Sequence, residues 1–304
     1  MSAIELLAGQ LEPFATVKRD EPLSRHTTFG VGGPADLFAT VRDAEALKRA
    51  TLAAADAGVR TFVLGSGSNI LVADGGIRGL VIDNRARAEI VSGGGLTYRL
   101  ESGTSFAAFA RKMCRAGLAG LSWAVGIPGT LGGAVVYNAG AYGGCLADVL
   151  RRVRLVEAGG RDEWLDAASL GLVYRGSVFT RGQFVGKTVL ETEVEMTPGD
   201  AKALLATAAS HDAKRLGAQP RGRNAGSIFK NPPDNPAWKL IDSVGLRGER
   251  RGDAAISDMH CNFFVNYGQA KASEVAALVE EAERRVFERF GLRLEREVAF
   301  VGAW

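Results

Sequence analysis

A chain of 304 residues, 46% hydrophobic and 23% charged, is long enough for two or three globular domains and has the composition of an ordinary folded protein. Its net charge of +3 is small and interspersed, which argues against a nucleic-acid surface, and the densest basic run, Arg247 to Arg251, is broken by Glu249 and reads as a solvated loop. The three cysteines, Cys114, Cys145 and Cys261, are widely spaced, so no zinc site or disulfide framework is expected and a reducing compartment is favoured.

The segment Met1 to Leu11 carries Glu5 in a short apolar run and has no basic leader, so it does not read as a signal peptide. No apolar run approaches the roughly eighteen residues that span a bilayer. A cytoplasmic protein without a membrane partner or an obligate protein partner is expected. Asp43 to Ala57 has helical spacing and stops at Gly58, a natural C-cap. Thr61 to Leu64 is a short strand that runs into Gly65-Ser-Gly-Ser-Asn69. Strands follow at 79–83 and 96–102, and Thr104 is expected to cap a helix through Ala116. The stretches 150–157 and 183–196 alternate as strands, with a short helix near 167–172 between them.

Pro198-Gly-Asp200 opens a helix that runs to about Leu216. Beyond it come a helix from Pro236 to Val244 and a strand from Phe263 to Asn266. Ala272 to Phe290 is an amphipathic helix, with Val275, Leu278, Val279, Ala282, Val286 and Phe290 on one face. Arg293 to Val301 is expected to close the chain as a strand, and a domain boundary is expected near 198–217.

The 39 glycines concentrate at 30–33, 65–79 and 117–144. Such clustering suits loops where backbone must approach a ligand closely. Gly65-Ser-Gly-Ser-Asn-Ile70 lacks the third glycine of the dinucleotide fingerprint and returns to a β-like run at Ile70, so a Rossmann reading fails. Its bare amides and hydroxyls could still hold phosphate, or form a plain surface turn. Gly126-Ile-Pro-Gly-Thr-Leu-Gly-Gly133 leads into Asn138-Ala-Gly140 with little charge. It reads either as backbone packed against a flat cofactor or as tight packing on small residues.

Ser227 lies in Asn224-Ala-Gly-Ser-Ile-Phe-Lys-Asn-Pro232. No Gly-x-Ser-x-Gly elbow surrounds it, and His211 and His260 are distant in the chain, so it does not read as a nucleophile. A serine turn and a proton donor both remain open readings.

Taken together, the segments His26 to Asp36, Gly65 to Leu71, Gly126 to Ala134, Asn138 to Gly143, Tyr174 to Phe179, Ala225 to Pro232, His260 to Asn262 and Leu294 to Val298 resemble the UDP-N-acetylenolpyruvoylglucosamine reductase family, in the family's order over about residues 20–302. The resemblance implies an α+β fold with a two-subdomain FAD-binding unit of the vanillyl-alcohol-oxidase type and a C-terminal α+β substrate-binding domain. In this chain these would be an N-terminal segment 1–25, an FAD-binding domain 26–197 (subdomains 26–83 and 84–197) and a substrate-binding domain 198–304. It also implies that NADPH reduces a non-covalent FAD, which passes hydride to the enolpyruvyl ether of a UDP-sugar to give UDP-N-acetylmuramate for peptidoglycan synthesis.

Carried over by motif, the resemblance implies that Arg175 stabilises the negative charge that develops, Ser227 donates the proton at carbon, and Glu297 hydrogen-bonds the substrate carboxylate. The cofactor would be held by Gly65, Ser66, Gly67, Ser68, Asn69, Ile70, Gly126, Ile127, Pro128, Gly129, Gly132, Gly133, Asn138, Ala139 and Gly140. Tyr174, Lys230, Asn231 and Asn262 would hold substrate, with Lys230 on the diphosphate. The chain resembles the shorter variety of the family, without a tyrosine-bearing insertion after Tyr174-Arg175. An FAD oxidase of the same fold is the competing reading. Such enzymes often tether flavin through His or Cys, and neither residue lies in 65–69 or 126–133.

Overall fold

The computed structural model describes residues 2–304. They divide into two compact units, one made of 2–19, 37–65 and 79–214, the other of 20–36, 66–78 and 215–304.

The first unit holds five helices: α1 (Ala3–Leu11), α2 (Ala44–Asp56), α3 (Phe106–Arg115), α4 (Leu131–Tyr137) and most of α5 (Ala201–Ala218). Asp43 caps α2, accepting from the Ala46 amide at 2.7 Å. Ser105 caps α3 in place of the expected Thr104, whose carbonyl instead takes the Leu131 amide at 2.9 Å. A five-stranded antiparallel sheet runs in the order 162–166, 150–157, 187–195, 97–101, 89–92. The strand Asp162–Asp166 was not expected, and the stretch read as starting at 183 begins as a strand only at Lys187. Thr61–Leu64 pairs in parallel with residues 80–83 in a four-stranded sheet.

Two apolar cores support this unit. One gathers Phe106, Phe109, Trp123, Leu131 and Val153 under α3 and the large sheet. The other packs α1 and α2 on Leu37, Leu80, Ile82 and Leu190. The expected glycine loop at 126–133 is a loop only as far as Thr130, whose hydroxyl accepts from the Gly133 amide at 3.4 Å and caps α4. Gly132 and Gly133 therefore lie in a helix. Gly132 has little room for a side chain, since a Cβ there would stand 3.1 Å from the Ser102 Cβ.

The second unit is built on α6 (Ala237–Ser243) and α7 (Ala272–Phe290). Beside them lies an antiparallel sheet of Arg250–Arg251, Ala254–Ile256 and Phe264–Asn266. The apolar face of α7 (Val275, Leu278, Val279, Ala282, Val286) is buried with Phe229, Ile241 and Phe264, while Phe290, expected on that face, is exposed. The closing strand covers only Ala299–Val301, paired in parallel with Ile70–Val72, and residues 293–298 lead into it as irregular chain. A strand cannot begin at Arg293 because no ladder partner lies opposite until Arg296 meets Phe229 in an isolated bridge.

Candidate functional site

Ser227 sits in a turn of the second unit whose backbone is held from several sides. Asn224 Oδ1 accepts the Gly226 amide at 2.9 Å, an Asx turn that lets Gly226 take φ +77°. Thr28 Oγ1 donates to the Asn224 carbonyl at 2.7 Å. Ser227 itself bridges Phe263, and the next amide, that of Ile228, donates to the Asn262 carbonyl at 2.8 Å.

Asn262 is 2% exposed, and its side-chain amide spans the Phe229 backbone, accepting from the N–H at 2.9 Å and donating to the C=O at 2.8 Å. Expected on substrate, Asn262 thus has both ends of its amide on protein and shapes the serine turn. His260 Nδ1 takes the Asn262 amide at 3.3 Å. Burial between Trp238 and Phe263, helped by the nearby Arg247 charge, holds His260 below the ordinary histidine range, which keeps that nitrogen an acceptor.

Glu297 lies half-buried on the neighbouring segment, outside the terminal strand where it was expected. Its amide donates to the Ile228 carbonyl at 2.8 Å, so Ser227 and Glu297 come from adjacent chain segments. Asn69 Nδ2 donates to the Glu297 carbonyl at 3.1 Å, which ties the first glycine segment to the same stretch. The Ser227 hydroxyl makes no hydrogen bond among the described residues, although the amides on either side of it, those of Gly226 and Ile228, are both engaged.

Two more of the residues expected on substrate have protein partners. Lys230 pairs with Glu295, an exposed carboxylate. Asn231 Oδ1 accepts the Ala237 amide at 3.0 Å and so braces the start of α6. Cys261, beside the motif, is fully buried, and burial pushes its thiol up to about 11, so it is no nucleophile at neutral pH.

The first unit carries Tyr174 and Arg175. Arg175 adopts φ +50°, a left-handed conformation uncommon for a residue with a side chain. Its Nη1 donates to the Gly140 carbonyl at 2.7 Å, and its guanidinium stands 5.5 Å from the Tyr174 ring centre. Asn138, also left-handed at φ +42°, accepts the Ala147 amide at 3.1 Å and donates to the Val173 carbonyl at 3.0 Å. The fully buried Ser177 adds a bond to the Val136 carbonyl at 2.6 Å. The Arg175 loop is therefore hung on the end of α4, and Asn138 serves as its hook.

The glycine segments have the character of a cofactor cradle. A Cβ on Gly65 would stand 2.5 Å from Thr130 Oγ1, so the start of the first segment packs directly on the second. A Cβ on Gly67 would stand 2.2 Å from the His26 carbonyl. Bare backbone with the hydroxyls of Ser66 and Ser68 and no carboxylate in 65–70 suits a phosphate, and the stretch 126–133, with Thr130 and likewise no carboxylate, has the same character by itself. The amides of Gly132 and Gly133 are engaged by the Ser102 carbonyl and Thr130, so these glycines offer close approach rather than free donors.

Sequence reasoning missed Asn224, Thr28, Ser177 and the bracing part of Asn262. Only Asn224 left a local signal, its Asn-x-Gly spacing.

Residues 219–301 match the family model described as UDP-N-acetylenolpyruvoylglucosamine reductase, C-terminal domain, and residues 35–166 match an FAD binding domain. A UDP-N-acetylenolpyruvoylglucosamine reductase of Symbiobacterium thermophilum is 41% identical over 94% of this chain and 92% of its own length. One from Moorella thermoacetica is 38% identical over 97% of both. The crystal structure of the Thermus caldophilus UDP-N-acetylenolpyruvylglucosamine reductase superposes with a TM-score of 0.81 at 38% identity, covering 94% of this chain and 99% of that one.

Proposed function

Because the chain belongs to the UDP-N-acetylenolpyruvoylglucosamine reductase family, we propose that Ser227, Arg175 and Glu297 carry the reduction of an enolpyruvyl UDP-sugar. The enzyme is an oxidoreductase of peptidoglycan precursor synthesis, with FAD as cofactor and NADPH as co-substrate. The division into an FAD-binding domain ending at 197 and a substrate-binding domain from 198 belongs to this reading, as does a cytoplasmic location. No helix among the described residues is long and apolar enough to cross a membrane.

Bound FAD would supply, from NADPH, a hydride, a hydrogen together with its electron pair, for the β-carbon of the enol ether double bond. The residues then have separate tasks. Adding that pair at the β-carbon drives charge toward the conjugated carboxylate, and the Arg175 guanidinium, permanently charged and forked, meets a carboxylate bidentately. Glu297 hydrogen-bonds the same carboxylate. Ser227 delivers the proton from Oγ to the α-carbon, which completes the saturated lactyl ether, and recovers a proton from solvent. A hydroxyl is a weak acid, but the carbanion-like carbon is a strong base, so the transfer needs chiefly a fixed geometry.

Gly65 to Ile70, Gly126 to Gly129 and the Asn138 to Gly140 corner would hold the cofactor, with Tyr174 and Lys230 on the substrate. The observation that supports the reading most directly is the Ile228–Glu297 bond beside a serine whose hydroxyl has no partner among the described residues. Purified protein given UDP-N-acetylglucosamine enolpyruvate should consume NADPH mole for mole and form UDP-N-acetylmuramate. Denaturation and filtration should release free flavin. Absence of turnover in protein that retains its flavin would reject the assignment.

A further inference from the structure

The second unit contains a cavity of about 560 Å³ that none of the residues assigned above lines. Three cationic side chains from separate segments, Arg25, Arg223 and Lys271, face it, and none of them makes an ion pair among the described residues. Its one carboxylate, Asp74, is already engaged: it accepts the Ala272 amide at 2.7 Å and the Ser273 amide at 3.0 Å at the start of α7. The lining thus carries a net charge of +2 with its acid turned to a structural task.

One wall is bare backbone that cannot be filled. A Cβ on Gly33 would stand 2.1 Å from the Asp74 carbonyl, and one on Gly32 would stand 2.8 Å from the Val72 Cβ. Gly30, at φ +67°, lets the stem of Arg223 cross it, since a Cβ there would lie 2.8 Å from Arg223 Cδ. The guanidinium is aimed by its bond to the Gly268 carbonyl at 3.1 Å. Ser24, Thr27 and Gln269 supply polar groups, and no aromatic side chain lines the space.

We propose that this cavity binds the phosphate monoester of a small sugar. A dianion matches the net charge, and charge-assisted bonds from arginine and lysine are the strong ones available to it. The volume exceeds that of free phosphate and falls in the range of small-metabolite sites. The hydroxyl, amide and backbone lining suits a polyol, and without a ring to stack on it has no platform for a nucleobase.

The test is calorimetric titration of the FAD-bound protein with glucose 1-phosphate, inorganic phosphate and glucose. Glucose 1-phosphate should bind saturably, inorganic phosphate more weakly and glucose not at all. Arg223→Ala and Lys271→Ala should each weaken binding roughly tenfold, the scale of one charge-assisted bond. Gly30→Ala, which alters no charge but blocks the path of Arg223, should weaken it as well, with circular dichroism confirming that each variant is folded. Lys230→Ala should leave binding unchanged. Equal affinity for inorganic phosphate would overturn the sugar assignment. Binding lost in Lys230→Ala but retained in the Arg223 and Lys271 variants, or no saturable binding, would overturn the site.

Discussion

The Ser227 turn and the Arg175 loop present two ways of holding a reactive group. Around Ser227 the strain falls on Gly226, and side chains from Asn224, Asn262 and Thr28 hold the surrounding backbone. Arg175 bears a left-handed conformation itself, and its Nη1 donates to a backbone carbonyl, that of Gly140. The difference follows from chemistry. A serine hydroxyl lies only two bonds from its Cα and must be placed by the backbone, whereas a guanidinium has a long stem and a charge that does not depend on a neighbour. Strain of order 1–3 kcal/mol in the arginine loop is tolerated because the buried hook at Asn138 and Ser177 over-determines it.

Three substitutions sharpen the contrast. Ser227→Ala removes the proposed proton donor without touching the backbone bonds. Reduction of the enolpyruvyl substrate should fall by roughly 10³-fold while flavin reduction by NADPH continues at nearly its normal rate. Stopped-flow absorbance of the two half-reactions checks this, and equal slowing of both would reject the role.

Arg175→Lys keeps the charge but loses the fork and the geometry of the Gly140 bond. A drop of roughly 10²-fold in kcat/KM is expected, read from steady-state kinetics, with thermal stability close to wild type.

Asn262→Ala strips two buried hydrogen bonds from Phe229 and leaves its amide and carbonyl unsatisfied. Unfolding free energy should fall by about 2–3 kcal/mol in a denaturant titration. A folded variant that kept both full stability and full activity would show that the serine turn holds itself.

Much of this frame is legible from local pattern. The spacing and end signals of α2 and α7 are strong enough to mark both to within a residue or two, because periodicity and capping act over a few neighbours. The strand 162–166 escaped because its sequence, Asp162-Glu-Trp-Leu-Asp166, is mostly polar and pairs only because residues 150–157 lie beside it. Helix α4 escaped because glycines at 132 and 133 mask a helix that Thr130 caps and that stands on Ser102 and Thr104. Glycine weakens intrinsic propensity, and tertiary packing overrides it.

By itself the sequence determined the glycine segments, the main helices and, through the order of its motifs, the kind of chemistry to expect. Tertiary structure alone decided that Asn262, 33 residues from Phe229, braces the serine turn, that Gly65 packs on Thr130, and that Lys230 pairs with Glu295. The physical reason is range: caps, turns and periodicity are written in contacts a few residues apart, whereas the partners of a buried amide or a bare glycine are chosen by how distant segments pack.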